Sequence, residues 1–218
     1  MKKIVLVVLM MSSLLLASGK TVAPLVVIEE VKQEHIFYVG GSVAALSMRY
    51  SDVDRNFFDI TNGQDRLGNF VLHGGYWITE YLAIEGRYSL GFQDEDAIEM
   101  DNAWSIFLKP TYKFDDGENR VYGKNYFSIY GLLGYGNVSF KGVNNTSGDV
   151  DNGDFQWGLG LSYTFRELSN NTEYPYRDNW SIFVDYTVLG SDMEGIFEGV
   201  SDRNTDLDAI TVGIAYYF

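Results

Sequence analysis

Asp208 to Phe218 reads DAITVGIAYYF, and its alternation sets the fold class of the whole chain. Ile210, Val212, Ile214, Tyr216 and Phe218 fall on one face, with Ala209, Thr211, Gly213 and Ala215 on the other. That period of two is the mark of a β-strand with one apolar side. In a water-soluble domain, so apolar a terminal strand would leave a frayed, aggregation-prone edge. It has to be paired on both edges. A closed antiparallel barrel in lipid does this by joining the last strand to the first, with the apolar side solvated by acyl chains.

Seven further strands are expected upstream. His35 to Tyr50 (HIFYVGGSVAALSMRY) is the first, and its two faces are so equally apolar that its register stays open. Asn69 to Thr79 sets Phe70, Leu72, Gly74, Tyr76 and Ile78 against Asn69, Val71, His73, Gly75 and Trp77. After a turn at Thr79-Glu80, Leu82 to Phe92 alternates Leu82, Ile84, Tyr88 and Leu90 with Ala83, Glu85, Arg87 and Ser89. A charge such as Arg87 facing the bilayer midplane would cost roughly 2 to 4 kcal/mol, so the charged face is the inner one.

Asn102 to Phe114 turns Trp104, Ile106, Leu108, Pro110, Tyr112 and Phe114 outward and Ser105, Lys109, Thr111 and Lys113 inward. Pro110 has no N–H and implies a bulge or a missing ladder bond. Tyr126 to Lys141 is the fifth strand, its facing again open. Asp154 to Arg166 alternates Phe155, Trp157, Leu159, Leu161, Tyr163 and Phe165 with Gln156, Gly158, Gly160, Ser162 and Thr164. Asn179 to Gly190 puts Trp180, Ile182, Val184, Tyr186 and Val188 outside and Ser181, Asp185 and Thr187 inside.

Eight strands bring both ends of the barrel to one side, the periplasm, and sort the outward aromatics by depth. Trp104 and Trp157 fall toward the outer end, and Tyr163, Phe165, Trp180 and Tyr216 toward the periplasmic end, as two aromatic girdles. A soluble lipocalin-type barrel would place such residues inside. The connections Ser51–Gly68, Gln93–Asp101, Gly142–Gly153 and Ser191–Asp206 are rich in Asp, Asn and Gly and are expected as external loops.

Composition agrees with this class. Aromatics make up 16%, with 16 Tyr, 23 Gly and only 3 Pro, which favours β structure. Cysteine is absent, which removes disulfides, thiol nucleophiles and cysteine metal sites. Lys2 and Lys3 precede an apolar run from Ile4 to about Leu16, and Ala17-Ser18-Gly19 supplies small residues for cleavage. Residues 1–19 are therefore expected to be a signal peptide, 20–34 a periplasmic tail, and 35–218 the barrel. The net charge of −14 becomes about −16 without the leader, and such a field repels nucleic acid.

The stretches FYVGGSVA, LAIEGRYSLGF, SIYGLLGYG, FQWGLGLSYTF, DNWSIFVDYTVLG and VGIAYYF together resemble the small bacterial outer-membrane β-barrel proteins of the OmpA-transmembrane-domain and opacity-protein type. The resemblance implies an all-β, eight-stranded, antiparallel, up-and-down transmembrane barrel, integral to the outer membrane after signal cleavage. It implies that Ile214, Tyr216 and Phe218 are an assembly signal read by the outer-membrane assembly machinery. It also implies outer-membrane lipid and lipopolysaccharide as surroundings, and a non-enzymatic structural, envelope-integrity or adhesin-like role with an external ligand at the loops. A narrow porin-like channel is the alternative, and a lipid A-modifying enzyme the third reading.

Glu85, Arg87, Lys109, Lys113 and Asp185, with His73, Gln156 and Arg166 near them, are the candidate lumen charges. An eight-stranded barrel has room inside only for its own side chains, so Glu85 and Asp185 are expected to neutralise Arg87 and Lys109 in a lumen filled by polar and charged groups. Lipid hydrolysis would need His with Ser and an acid at the outer rim, and the two histidines, His35 and His73, are placed elsewhere. Asp149 to Asp154 begins like a calcium loop, but Gly160 stands where the twelfth-position Glu belongs. It and the cluster Asp94, Glu95, Asp96, Glu99 and Asp101 are read as solvated loops. No metal site and no cofactor are expected.

Overall fold

The computed structural model describes residues 37–51, 57, 65–93, 98–114, 125–142, 150–168, 176–193 and 204–218. The chain divides into two units, Met1–Lys32 and Gln33–Phe218. The expected signal peptide, the tail, His35, Asp94–Asp96 and Asp149 lie outside the described residues.

Eight strands make one sheet: β1 (Phe37–Tyr50), β2 (Asp65–Thr79), β3 (Leu82–Gln93), β4 (Ile98–Lys113), β5 (Tyr126–Gly142), β6 (Val150–Leu168), β7 (Tyr176–Met193) and β8 (Thr205–Tyr217). Each pairs antiparallel with its chain neighbour, and β8 returns to β1 through Tyr38↔Tyr217 to Tyr50↔Thr205, which closes the barrel. The amide of Phe218 adds a bond to the carbonyl of Phe37 at 2.9 Å. Closure leaves the sheet without a free edge, the condition for crossing hydrocarbon. Phe37 and Phe218 meet at what we call the proximal end. The connections β1–β2, β3–β4, β5–β6 and β7–β8 leave the opposite, distal end.

The outer wall is apolar. Leu159 is 60% and Ile214 50% exposed, and Trp157, Leu72, Ile106 and Val212 are exposed with them, whereas Glu85 (0%) and Asp185 (2%) are buried inside. Water-soluble packing would reverse this distribution. The two strands of open register now have definite faces: β1 turns Tyr38, Ala44, Leu46 and Met48 inward, and β5 turns Tyr126, Ser128, Tyr130, Leu132, Val138 and Phe140 inward.

The lumen departs from a filling of polar and charged groups. At the distal end Leu46, Met48, Leu67, Met100, Val138, Phe140 and Leu207 form a buried apolar cluster. A second group, Phe107, Tyr130, Leu132 and Phe183, lies at mid-height, and Tyr38, Trp77, Ala83 and Ala215 pack near the proximal end. Among the described residues, the paired charges of the lumen lie at mid-height and toward the proximal end. Apolar inner faces at the distal end stabilise the barrel by burial, because those side chains meet one another instead of water.

Several strands run beyond their expected ends. Ile98–Asp101 and Val150–Gly153, expected as loops, extend β4 and β6, and β7 and β8 reach Met193 and Thr205. The calcium-loop-like segment is thus ladder from Val150 onward, with Asp151 opposite Ser139 and Asp154 opposite Gly136. Among the described residues no cluster of His, Asp or Glu could hold a metal ion. Asp192, at φ 57, sits in the irregular end of β7, where a short polar side chain tolerates the left-handed region. At the proximal end Glu167↔Arg177 and Leu168↔Tyr176 prolong the β6–β7 hairpin.

Pro110 interrupts one ladder. The β4–β5 register is the same above it (Leu108↔Leu133) and below it (Thr111↔Tyr130), so the ladder lacks bonds there and contains no bulge.

Candidate functional site

β3 carries Glu85 and Arg87 two residues apart, so both side chains enter the lumen from the same face. Arg87 Nε donates to Glu85 Oε1 at 2.8 Å, and its two terminal nitrogens donate to both oxygens of Asp185 on β7 at 3.0 and 2.8 Å. Lys109 on β4 donates to Glu85 Oε2 at 2.6 Å. One guanidinium therefore bridges two carboxylates across the barrel. The bidentate fork to Asp185 is the strongest geometry available to an arginine.

Tyrosines complete the arrangement. Tyr38 donates to Glu85 at 2.5 Å and Tyr130 to Asp185 at 2.9 Å, while Thr187 adds a bond to Asp185 at 3.2 Å. The Lys109 ammonium stands 4.3 Å from the Tyr130 ring centre and 5.1 Å from that of Tyr38. Every oxygen of the two carboxylates has a donor, which is what makes burying them tolerable.

Glycines make room for both tyrosines. Tyr38 pairs with Gly75 and Tyr130 with Gly160, and a Cβ at either glycine would occupy the phenol ring. Gly160→Val is expected to destabilise the barrel by about 1 to 3 kcal/mol, because Tyr130 would be driven off Asp185. Gly41 faces open space on the outer wall, and Gly41→Val is expected to stay within about 0.5 kcal/mol. Urea midpoints of the refolded variants check the contrast.

Lys113 also points inward but sits with other partners, its ammonium 4.8 Å from the Trp77 ring centre and 5.8 Å from that of Tyr126. Arg166 donates to Asp178 at 3.1 Å, and Tyr126 donates to the other Asp178 oxygen at 2.6 Å. Gln156 donates to the carbonyl of Leu189 at 2.9 Å. His73 lies inside the barrel against Phe183, with ring centres 5.0 Å apart.

Trp104, Trp157, Phe165 and Trp180 are exposed on the outer wall, with Tyr163 and Tyr216 beside them half-buried. Proximal aromatics touch in chains: Phe127–Tyr163 at 4.6 Å, Tyr163–Phe165 at 5.0 Å, Trp180–Tyr216 at 4.8 Å and Tyr216–Phe218 at 5.0 Å. Toward the distal end Phe70 meets Phe92 at 4.4 Å and Trp104 meets Tyr135 at 6.4 Å. Ile214 and Tyr216 hold the closing seam opposite Gly41 and Val39.

A second buried ion pair, not anticipated, joins the β7–β8–β1 wall on the distal side of the lumen network. Asp208, fully buried, pairs with the Arg49 guanidinium and accepts a 2.5 Å bond from Tyr186, against which Phe57 packs edge-on. Arg49 and Asp208 share the outward parity of their strands with Tyr186, which the sequence placed outside, and a charge at an outward strand position is the signal that could have found the other two.

The chain matches the family described as outer membrane protein beta-barrel domain over residues 12–218. No curated protein matches it in sequence. Among solved structures it is similar to Ail, the attachment invasion locus protein of Yersinia pestis, at 17% identity, over 85% of this chain and 100% of that one, with a TM-score of 0.50. It is also similar to neisserial surface protein A, at 13% identity, over 84% of this chain and 97% of that one, with a TM-score of 0.50. At such identities the likeness is one of fold. With an apolar exterior, a closed eight-stranded ladder and a family match over nearly its whole length, this chain belongs to the outer membrane protein β-barrel family and is an integral protein of the bacterial outer membrane.

Proposed function

We propose that this protein is a non-enzymatic outer-membrane barrel with a structural, envelope-integrity or surface-interaction role, adhesin-like in presenting its loops to the outside. The observation that carries this reading is the filled lumen, crossed at mid-height by the Glu85–Arg87–Asp185–Lys109 network and closed distally by the apolar cluster around Leu46, Met48 and Phe140. A solute passing along the axis would have to break buried ion pairs and then cross a dry layer. Function is thereby left to the surfaces, and the loops are where scaffolds of this kind carry specificity. The distal connections carry Asp52, Asp54, Asp94, Asp96, Glu194 and Glu198 among other acids, which favours an external ligand of cationic character.

An enzymatic role finds little support. His73 is enclosed by Tyr38 and Phe183 in the lumen, where a lipid substrate does not reach. In this reading residues 1–19 are removed as a signal peptide, 20–34 form a periplasmic tail, and the Ile214–Tyr216–Phe218 pattern is the signal read by the assembly machinery. The girdle residues Trp104, Trp157, Tyr163, Phe165, Trp180 and Tyr216 anchor the barrel at the lipid interfaces.

Planar bilayers containing the refolded barrel are expected to show no reproducible conductance steps. Steps that shift when Lys109 is replaced by methionine would establish the channel reading instead. Lipid A mass spectra from cells with and without the protein are expected to coincide, and altered acylation would establish an enzyme. Loss of adherence to cationic but not anionic surfaces on deletion is the positive sign of the proposed role.

A further inference from the structure

Two residues on the outward face of the barrel are completely buried, and a wall bathed only in lipid does not explain them. Phe37, Val39 and Val43 on β1 and Val212 and Ile214 on β8 are exposed, yet Ser47 and Asp208, further along the same two faces, are 0% exposed. The β1–β8 register runs without a shift from Tyr38↔Tyr217 to Tyr50↔Thr205, so both residues keep the outward parity of their strands. Something outside the sheet covers them. Phe57 stands on that side, itself only 6% exposed, with its ring edge-on to Tyr186 at 6.4 Å, and Tyr186 donates to Asp208 at 2.5 Å.

This contact is not a by-product of chain continuity. Phe57 belongs to the connection from β1 to β2, whereas Tyr186 is on β7, which lies two strands from β1 in the opposite direction, beyond β8. The seven residues from Tyr50 to Phe57 span at most about 25 Å and two strand spacings take only about 10 Å, so the reach is ample. The direction is set by contacts. Ser51 begins it: its amide donates to the carbonyl of Asn204 at 2.9 Å and its hydroxyl to Asp206 at 2.7 Å, which carries the chain past the end of β1 along β8.

The wall beneath Phe57 also differs from the rest of the distal circumference. β2 to β6 expose Phe70, Phe92, Trp104, Tyr135 and Phe155 there, whereas the outward distal positions of β8 and β1 are Asp206, Asp208, Ser47 and Arg49. Acyl chains solvate such groups poorly. We propose that the distal outer wall of β7, β8 and β1 is an intramolecular docking surface for the β1–β2 connection, with Phe57 as the anchor and the Tyr186–Asp208–Arg49 group as its seat. Protein, not lipid, then covers this sector of the barrel.

The chain has no cysteine, so two introduced thiols report on one pair alone. In the barrel refolded into phosphatidylcholine vesicles, Phe57→Cys combined with Tyr186→Cys is expected to be bridged by a short bis-methanethiosulfonate reagent. Phe57→Cys combined with Phe92→Cys, on the wall toward which the connection finally leads, is expected to stay unbridged. Phe57→Ala is expected to speed tryptic cleavage after Arg55 roughly tenfold by freeing the anchor, and Phe57→Tyr to keep the parent rate. Should the double-cysteine barrels fail to refold, the tryptic rates decide alone. Equal bridging of the two pairs, or cleavage of Phe57→Ala at the parent rate, would overturn the proposal.

Discussion

Replacing Arg87 by methionine is expected to destabilise the folded barrel by about 3 to 5 kcal/mol, the range for breaking a buried ion pair by removing one partner. Arg87 is the single cation shared by Glu85 and Asp185, and both carboxylates have no exposed side-chain surface. Its loss strands Asp185 with only Tyr130 and Thr187 as donors. Lys109→Met should cost less, since Glu85 keeps Arg87 and Tyr38. Adding Glu85→Gln and Asp185→Asn to Arg87→Met should recover most of the loss, because the penalty comes from uncompensated charge. Urea unfolding in lipid vesicles, followed by tryptophan fluorescence, measures all three. An Arg87→Met barrel within about 1 kcal/mol of the parent would mean that water, not protein, solvates the carboxylates.

The same network explains what was legible in the sequence. Where a strand separates lipid from polar lumen, as at Glu85 and Arg87 or at Gln156 beside Trp157, alternation is sharp and the facing is readable. β1 and β5 carry apolar residues on both faces because they line the distal apolar cluster with Leu46, Met48, Val138 and Phe140. Their register was open for a physical reason. Tyr38 and Tyr130 lie on those two strands, and so the hydroxyls that complete the ion network stayed out of view.

The strand ends were hidden by the converse effect. Ile98–Asp101 and Val150–Gly153 stand at the distal ends of β4 and β6, beside the loops. Where no hydrocarbon requires an apolar face, polar residues rich in Asp, Asn and Gly look like loop even when they pair in a ladder. Tyr–Gly cross-strand pairs, Tyr38 with Gly75 and Tyr130 with Gly160, would have been the usable signal had the register been known.

Leu159→Arg is expected to cost about 2 to 4 kcal/mol, whereas Phe155→Arg, nearer the distal end of the same strand, should cost about 0 to 1 kcal/mol. Leu159 lies between Gly131 and Tyr186 on the neighbouring strands, exposed on the outer wall between Trp157 and Leu161. In water such a surface arginine would be nearly neutral, within about 0.5 kcal/mol, so the size of the penalty reports the solvent outside the barrel. Depth dependence is the second signature, because a guanidinium near the interface reaches headgroups and one at mid-height does not. Both variants are read by urea titration in vesicles and again in detergent, where the hydrocarbon layer deforms around the charge and the gap between Leu159→Arg and Phe155→Arg should narrow. Equal costs at the two positions would mean that the apolar wall is covered by something other than a bilayer of fixed thickness.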